Sequence, residues 1–185
     1  MSEVDAIHRC LAGDRAAYAV VVRAHGDPLV GVLCRLVGNL DDARDLAQET
    51  FVRAYRKLHL YDQRRPFKPW LYRIGRNLAL NHLTARRRRP EGQALATGEK
   101  VISAMASETK SPLAAVAAGE RRAAIDRVLD RLRPQYREVL VLRYLAHLDY
   151  ADIATTMDLP IGTVKTWLFR AKASFRVHAQ GEEAL

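Results

Sequence analysis

Cysteine is scarce, with Cys10 and Cys34 alone in 185 residues. A disulfide-stapled framework is thereby excluded, and a reducing, cytoplasmic compartment fits. Long apolar runs are missing too: the best is Ala16–Val22, far short of the roughly eighteen residues a membrane helix needs. Glu3 and Asp5 occupy the N-terminus where a secretory leader would be basic and then apolar, so no such leader is expected. Ten glycines and seven prolines are too few for collagen-like or low-complexity chain. No Gly-rich phosphate loop and no nucleophile setting is present. His8 and Cys10 are two neighbouring candidate ligands where a closed metal site usually needs four, and His25, His59, His82, His147 and His178 have no ligand spacing. An enzyme, a resident metal and a cofactor are therefore not expected.

What is there is a globular balance of 49% hydrophobic and 28% charged residues, with a net charge of +9. The surplus favours a polyanionic partner, nucleic acid or membrane surface. It is unevenly placed. Residues 1–90 hold seventeen basic and nine acidic side chains, a net of +8, whereas 91–120 are net −2 and 121–185 net +3. Within 53–89, twelve basic residues face the single acid Asp62. Pro90 to Lys110 is rich in Gly, Ser, Ala and Glu without any aromatic residue, the composition of a tether. The organisation expected is therefore a first module at 1–89, a flexible linker at 90–111 and a second module at 112–185.

The periodicity is helical almost throughout, and no alternating strand stands out. Ser2 with Asp5 can cap a first helix, and Asp14 a second one carrying Tyr18, Val21 and Val22, interrupted or kinked near Asp27-Pro28. The clearest helix is 41–58, where Ala43, Leu46, Ala47, Thr50, Phe51, Ala54, Tyr55 and Leu58 make one apolar stripe. Pro69 suits the first turn of a helix reaching about Arg86. Ser111-Pro112 opens another, with Ile125, Val128, Leu129 and Leu132 on one face, and Tyr136–His147 forms the next. The fold class is all-α, as two small helical domains.

A helix-turn-helix is predicted near the C-terminus. Asp149 and Asp152 resemble a capping pair for a helix Tyr150–Met157. Asp158-Leu159-Pro160 breaks the chain, and Ile161–Ala173 follows as a second helix. Ile153, Ala154, Met157, Leu159, Val164 and Leu168 supply the buried points. Lys165, Thr166, Phe169, Arg170 and Lys172 are left outward, a face suited to a major groove and its phosphates. An ordinary helical hairpin with a solvated basic face has the same pattern.

Two further surfaces stand out. Tyr61, Phe67, Trp70 and Tyr72 alternate with Arg64, Arg65, Lys68, Arg73 and Arg76, and such a mixture suits single-stranded nucleic acid, bases stacking on rings while cations follow the backbone. Trp70, Arg73 and Asn77 share a helix face, and Asn77 can hydrogen-bond an unstacked base. Arg86–Arg89 extends the positive surface toward duplex phosphates. Phe67 and Leu71 are expected in the core, Arg73, Arg76 and Asn77 at the functional face, and Trp70 between the two. On helix 41–58, Asp45, Gln48, Glu49 and Val52 form a polar ridge opposite the apolar stripe. Phosphates would be repelled there, so a protein partner with basic residues fits.

On these residues the chain resembles a sigma factor of the sigma-70 family, in the extracytoplasmic-function group. The segment from Asp42 to Phe51 is similar to the family's region 2.2. Phe67 to Asn77 resembles regions 2.3 and 2.4, and Gly162 to Ala171 the reading helix of region 4.2. Three motifs in the family's order and spacing carry the resemblance. It implies that Asp45, Gln48, Glu49 and Val52 dock on the β′ clamp helices of core RNA polymerase, with the β flap as a further contact. It implies that Asp62, Gln63, Arg64 and Arg65, with Trp70, Arg73, Arg76 and Asn77, melt and read the −10 element. Lys165, Thr166, Trp167, Phe169, Arg170 and Lys172 would read the −35 element, Trp167 packing on a sugar edge or on its own module. The resemblance also implies an anti-sigma partner, action in the cytoplasm and no membrane insertion. A helix-turn-helix repressor or activator binding DNA alone is the rival reading, and it has no need of the Asp45 ridge or the aromatic–basic patch.

Overall fold

The computed structural model describes residues 1–88 and 112–183, and the expected linker at 90–111 lies outside them. All the regular elements described are helical: α1 Glu3–Leu11, α2 Tyr18–Val37, α3 Leu40–Arg56, α4 Phe67–Arg88, α5 Pro112–Arg131, α6 Pro134–Leu140, α7 Tyr150–Met157 and α8 Ile161–Glu183. Local chemistry sets several of their ends. Ser2 and Asp5 form a reciprocal capping box on α1. Asn39 caps α3 by accepting from the Asp42 N–H at 2.9 Å, after Gly38 has closed α2 in the left-handed conformation. Asp149 accepts from the Asp152 N–H at 2.7 Å to open α7, and Asp158, at φ 57°, ends it.

In the first module α2 lies among α1, α3 and α4. Val21, Leu29, Leu33, Leu71 and Tyr72 are buried at its centre. The stripe read from α3 faces this core: Ala43, Ala47, Thr50, Phe51 and Ala54 are buried, Leu46 and Tyr55 half-buried. In the second module α8 packs on α5, α6 and α7 around Val139, Leu142, Ile153, Val164 and Leu168. The modules meet where α7 lies along α4 and where α6 with its following turn reaches α2.

Four local expectations are corrected. Pro28 does not interrupt α2; Val21, His25, Leu29 and Val32 are buried on either side of it, and that packing holds one continuous helix. Asp14 caps a 3-10 turn, Arg15–Ala17, by accepting from the Ala16 and Ala17 N–H groups. Tyr136–His147 is not one α-helix: α6 gives way to a π-helical turn at Val141–Leu145, and the Ala146 N–H reaches the Val141 carbonyl at 3.0 Å. Ile125 is 47% exposed, unlike Val128, Leu129 and Leu132, because it edges an open groove of about 610 Å³ with Tyr144 and Phe175.

Candidate protein-binding and nucleic-acid surfaces

The α3 ridge is built by exclusion. The buried stripe fixes the rotation of the helix, so Asp45, Gln48, Glu49 and Val52 all point to solvent. Glu49 accepts from Arg53 Nε at 2.6 Å one turn on, which holds its carboxylate along the ridge. Val52 remains 39% exposed at the end of that row, an apolar contact the fold does not itself use.

Beyond α3 the chain turns through Leu58–Leu60 into a tight loop. Asp62 Oδ1 accepts from the Arg64 N–H at 3.0 Å, the Asp62 carbonyl from the Arg65 N–H at 3.0 Å, and the Tyr61 hydroxyl donates to the Arg65 carbonyl. That closed turn holds Gln63, Arg64 and Arg65 fully outward. Tyr61, Phe67 and Trp70 pack as a trio with ring centroids 5.2, 5.2 and 5.4 Å apart. Phe67 and Leu71 are buried as expected, and Trp70 is half-buried, one side on the trio and the other toward a cleft of about 390 Å³. Arg73 and Asn77 are exposed one and two turns along α4 from Trp70.

Arg76 lies elsewhere than a free DNA contact would. Its Nε bonds Glu138 Oε1 of α6, and its side chain is only 17% exposed. Arg73 Nη2 lies 3.4 Å from Asp158 Oδ2. Burial pushes the Glu138 carboxyl up, and the Arg76 guanidinium draws it back. The sequence marks Asp158 only as part of the break between two helices, and it does not mark Glu138. The signal was available for Glu138, an acid set against the apolar run Val139–Leu142, where a buried charge must find a partner.

The helix-turn-helix is as expected. Ile153, Met157, Val164 and Leu168 are buried, Ala154 and Leu159 half-buried, and the Leu159 N–H reaches the Ala154 carbonyl at 3.0 Å. Lys165, Thr166, Phe169 and Arg170 share the outward face of α8, Phe169 being 76% exposed. Trp167 is half-buried and packs against the hydrophobic core. Lys172 is half-buried, its ammonium 5.9 Å from the Tyr144 ring.

Both cysteines are buried, and burial raises both thiols above their ordinary value, so neither is a thiolate at neutral pH. Among the described residues no three His, Cys, Asp or Glu side chains gather where a metal could be held. None of their helices is long and apolar enough to cross a membrane.

A helix-turn-helix module packed on a helical module with an aromatic–basic face is the architecture of a nucleic-acid-binding protein. The family models for Sigma-70 region 2 and Sigma-70 region 4 match residues 21–89 and 122–175. The RNA polymerase sigma-H factor of Pseudomonas aeruginosa is 35% identical, over 90% of this chain and 88% of its own length. The ECF RNA polymerase sigma factor SigW of Bacillus subtilis is 32% identical over 89% of each. Among solved structures, CnrH in complex with the cytosolic domain of CnrY has the same fold, with a TM-score of 0.72 at 24% identity over 97% of each chain. So does the sigma factor RpoE of Bartonella quintana in complex with the anti-sigma factor NepR, at 0.71 and 22% over 88% of this chain and 96% of that one. The chain belongs to the sigma-70 family of sigma factors, in its extracytoplasmic-function group. It is a non-enzymatic transcription initiation factor.

Proposed function

We propose that this sigma factor fastens to core RNA polymerase, at its β′ clamp helices, through Asp45, Gln48, Glu49 and Val52, with the β flap as a further contact. The observation that carries the reading is that ridge: one helix buries a complete apolar face and presents an acid–amide row ending in exposed Val52. Basic helices of a partner complement such a row, and phosphates do not.

At the −10 element the turn presenting Asp62, Gln63, Arg64 and Arg65 receives an unstacked base. Trp70 stacks beside it, Asn77 bonds a base edge, and Arg73 and Arg76 follow the backbone. No covalent step is needed. Extruding a base costs a few kcal/mol, and stacking on an aromatic side chain returns about 1–3 kcal/mol per base. At the −35 element, Lys165, Thr166, Phe169 and Arg170 face the duplex, with Lys172 at the flank and Trp167 bracing the helix from the hydrophobic core. The modules at 1–89 and 112–185, joined by 90–111, thus read two elements on one promoter. The factor works in the cytoplasm, where the polymerase is, and an anti-sigma protein controls it, as the complex of the Bartonella quintana relative with NepR suggests.

Core polymerase with and without the protein, assayed for initiation on a pool of genomic promoter fragments, tests the reading. Discrete new start sites are expected, lost when Asp45 and Gln48 become alanine in a variant that stays folded. Normal polymerase binding by that variant would remove the ridge from the mechanism. DNA binding without initiation would favour a repressor or activator instead.

A further inference from the structure

The second module covers part of the face that the first would offer to a melted strand. Three ion pairs join the two modules among the described residues: Arg35 with Asp126, Arg73 with Asp158 and Arg76 with Glu138. In all three the cation comes from the first module and the carboxylate from the second. Glu138, with a side chain 9% exposed, takes the Arg76 guanidinium out of solvent, and Asp158 meets the exposed Arg73. Alongside them the buried Thr156 hydroxyl donates to the Pro69 carbonyl at 3.3 Å, which seats α7 on the start of α4. Ala151, Asp152 and Thr155 of α7 wall the same cleft as Tyr61, Asp62, Arg65, Trp70 and Arg73.

Arginine accepts carboxylate and phosphate with the same planar array of donors. A carboxylate that holds such an arginine therefore competes with a nucleic-acid backbone for it. We propose that Glu138 and Asp158 act as internal stand-ins for DNA phosphates: in the chain without polymerase they hold Arg76 and Arg73, while α7 covers the Trp70 cleft, so single-stranded promoter DNA is refused. The inference rests on the assignment of Arg73 and Arg76 to −10 DNA. The mask is selective. The α3 ridge stays exposed in this arrangement, as do Lys165, Thr166, Phe169 and Arg170 of the duplex-reading helix. Polymerase can therefore engage the closed chain first, and drawing the two modules to separate sites then releases the arginines. Binding of the melted strand is coupled in this way to assembly of the holoenzyme.

The test uses the full-length protein and the pair Glu138→Gln with Asp158→Asn. Glutamine keeps the shape of glutamate, and asparagine tolerates the left-handed backbone of Asp158. Circular dichroism checks the fold, small-angle scattering reads compactness, and fluorescence anisotropy reads affinity for a short labelled single strand of random sequence and for a labelled duplex. The variant should expand. Its affinity for the single strand should rise by about tenfold or more, as expected when about a tenth or less of the parent is open. Duplex affinity should change by about twofold or less, because the α8 face is open in both forms. The exchange Arg76→Glu with Glu138→Arg should restore compactness. A parent chain as expanded as the variant would overturn the proposal, and so would expansion without a gain for the single strand. An equal gain for duplex would mark a bulk charge effect and overturn it too. Arg76→Ala holoenzyme that opens promoters normally would refute the −10 assignment on which the mimicry depends. The compactness measurements need no DNA, so the latch itself is judged separately.

Discussion

Gly75 lies where α4 passes tightly over Thr50 of α3 and Leu29 of α2. A Cβ built there would lie 3.1 Å from Thr50 Oγ1 and 3.3 Å from Leu29 Cδ1. Neither neighbour can yield: Thr50 is fully buried with its hydroxyl on the Leu46 carbonyl at 2.6 Å, and Leu29 is at the core centre. Alanine would gain up to about 1 kcal/mol in helix propensity. Overpacking at about 1–3 kcal/mol outweighs that gain, so Gly75→Ala should lower the urea midpoint. Two carboxylates, the exposed Asp5 and the half-buried Asp14, set an acid limit. Hydrogen bonds from Ser2 hold Asp5 below its ordinary value of 3.8, and the Arg9 guanidinium does the same for Asp14. A depressed carboxylate pKa means that the unfolded chain takes the proton more readily. Their contribution is therefore complete above pH 3.8 and lost as pH falls through the depressed values. Melting temperature followed against pH should fall in that window, and less steeply in the Asp5→Asn, Asp14→Asn double variant.

At the level of elements, α2 carries a proline whose ring removes one backbone hydrogen bond and presses on the preceding turn. Pro28 is exposed, so replacing it disturbs no core contact. Pro28→Ala should stabilise the protein by about 1–3 kcal/mol, read as a higher urea midpoint. The same helix shows where sequence reading stops. The α3 stripe and both flanks of the helix-turn-helix are legible because each depends on spacing within one element, and capping by Ser2 and Asp149 depends on neighbours three residues apart. Continuity through Pro28 depends on packing from α1, α3 and α4, which no local window contains. The π turn at Val141–Leu145 has the same origin, since Val141, Leu142 and Leu145 offer apolar side chains at either pitch. Among site residues, the exposure of Asp45, Gln48, Glu49, Arg170 and Asn77 follows from helical phase. The capture of Arg76 by Glu138, 62 positions away, does not.

For the whole molecule, the proposed function gives the two promoter readings to separate modules, so their losses should separate as well. Arg170→Ala, on the exposed face of α8, should reduce discrimination among −35 sequences by about 1–3 kcal/mol while start-site melting persists. Competition between promoter variants in the holoenzyme checks it; an unchanged preference would remove Arg170 from the reading set. The polarity of the contact between modules has a consequence of a different kind. In the three pairs among the described residues the cations come from one side and the carboxylates from the other, and the pairing rule does not ask whether both sides belong to the same chain. Two molecules can lend each other their second modules and satisfy the same three pairs. A reciprocally exchanged dimer would share one interface with the closed monomer, and higher protein concentration would favour it.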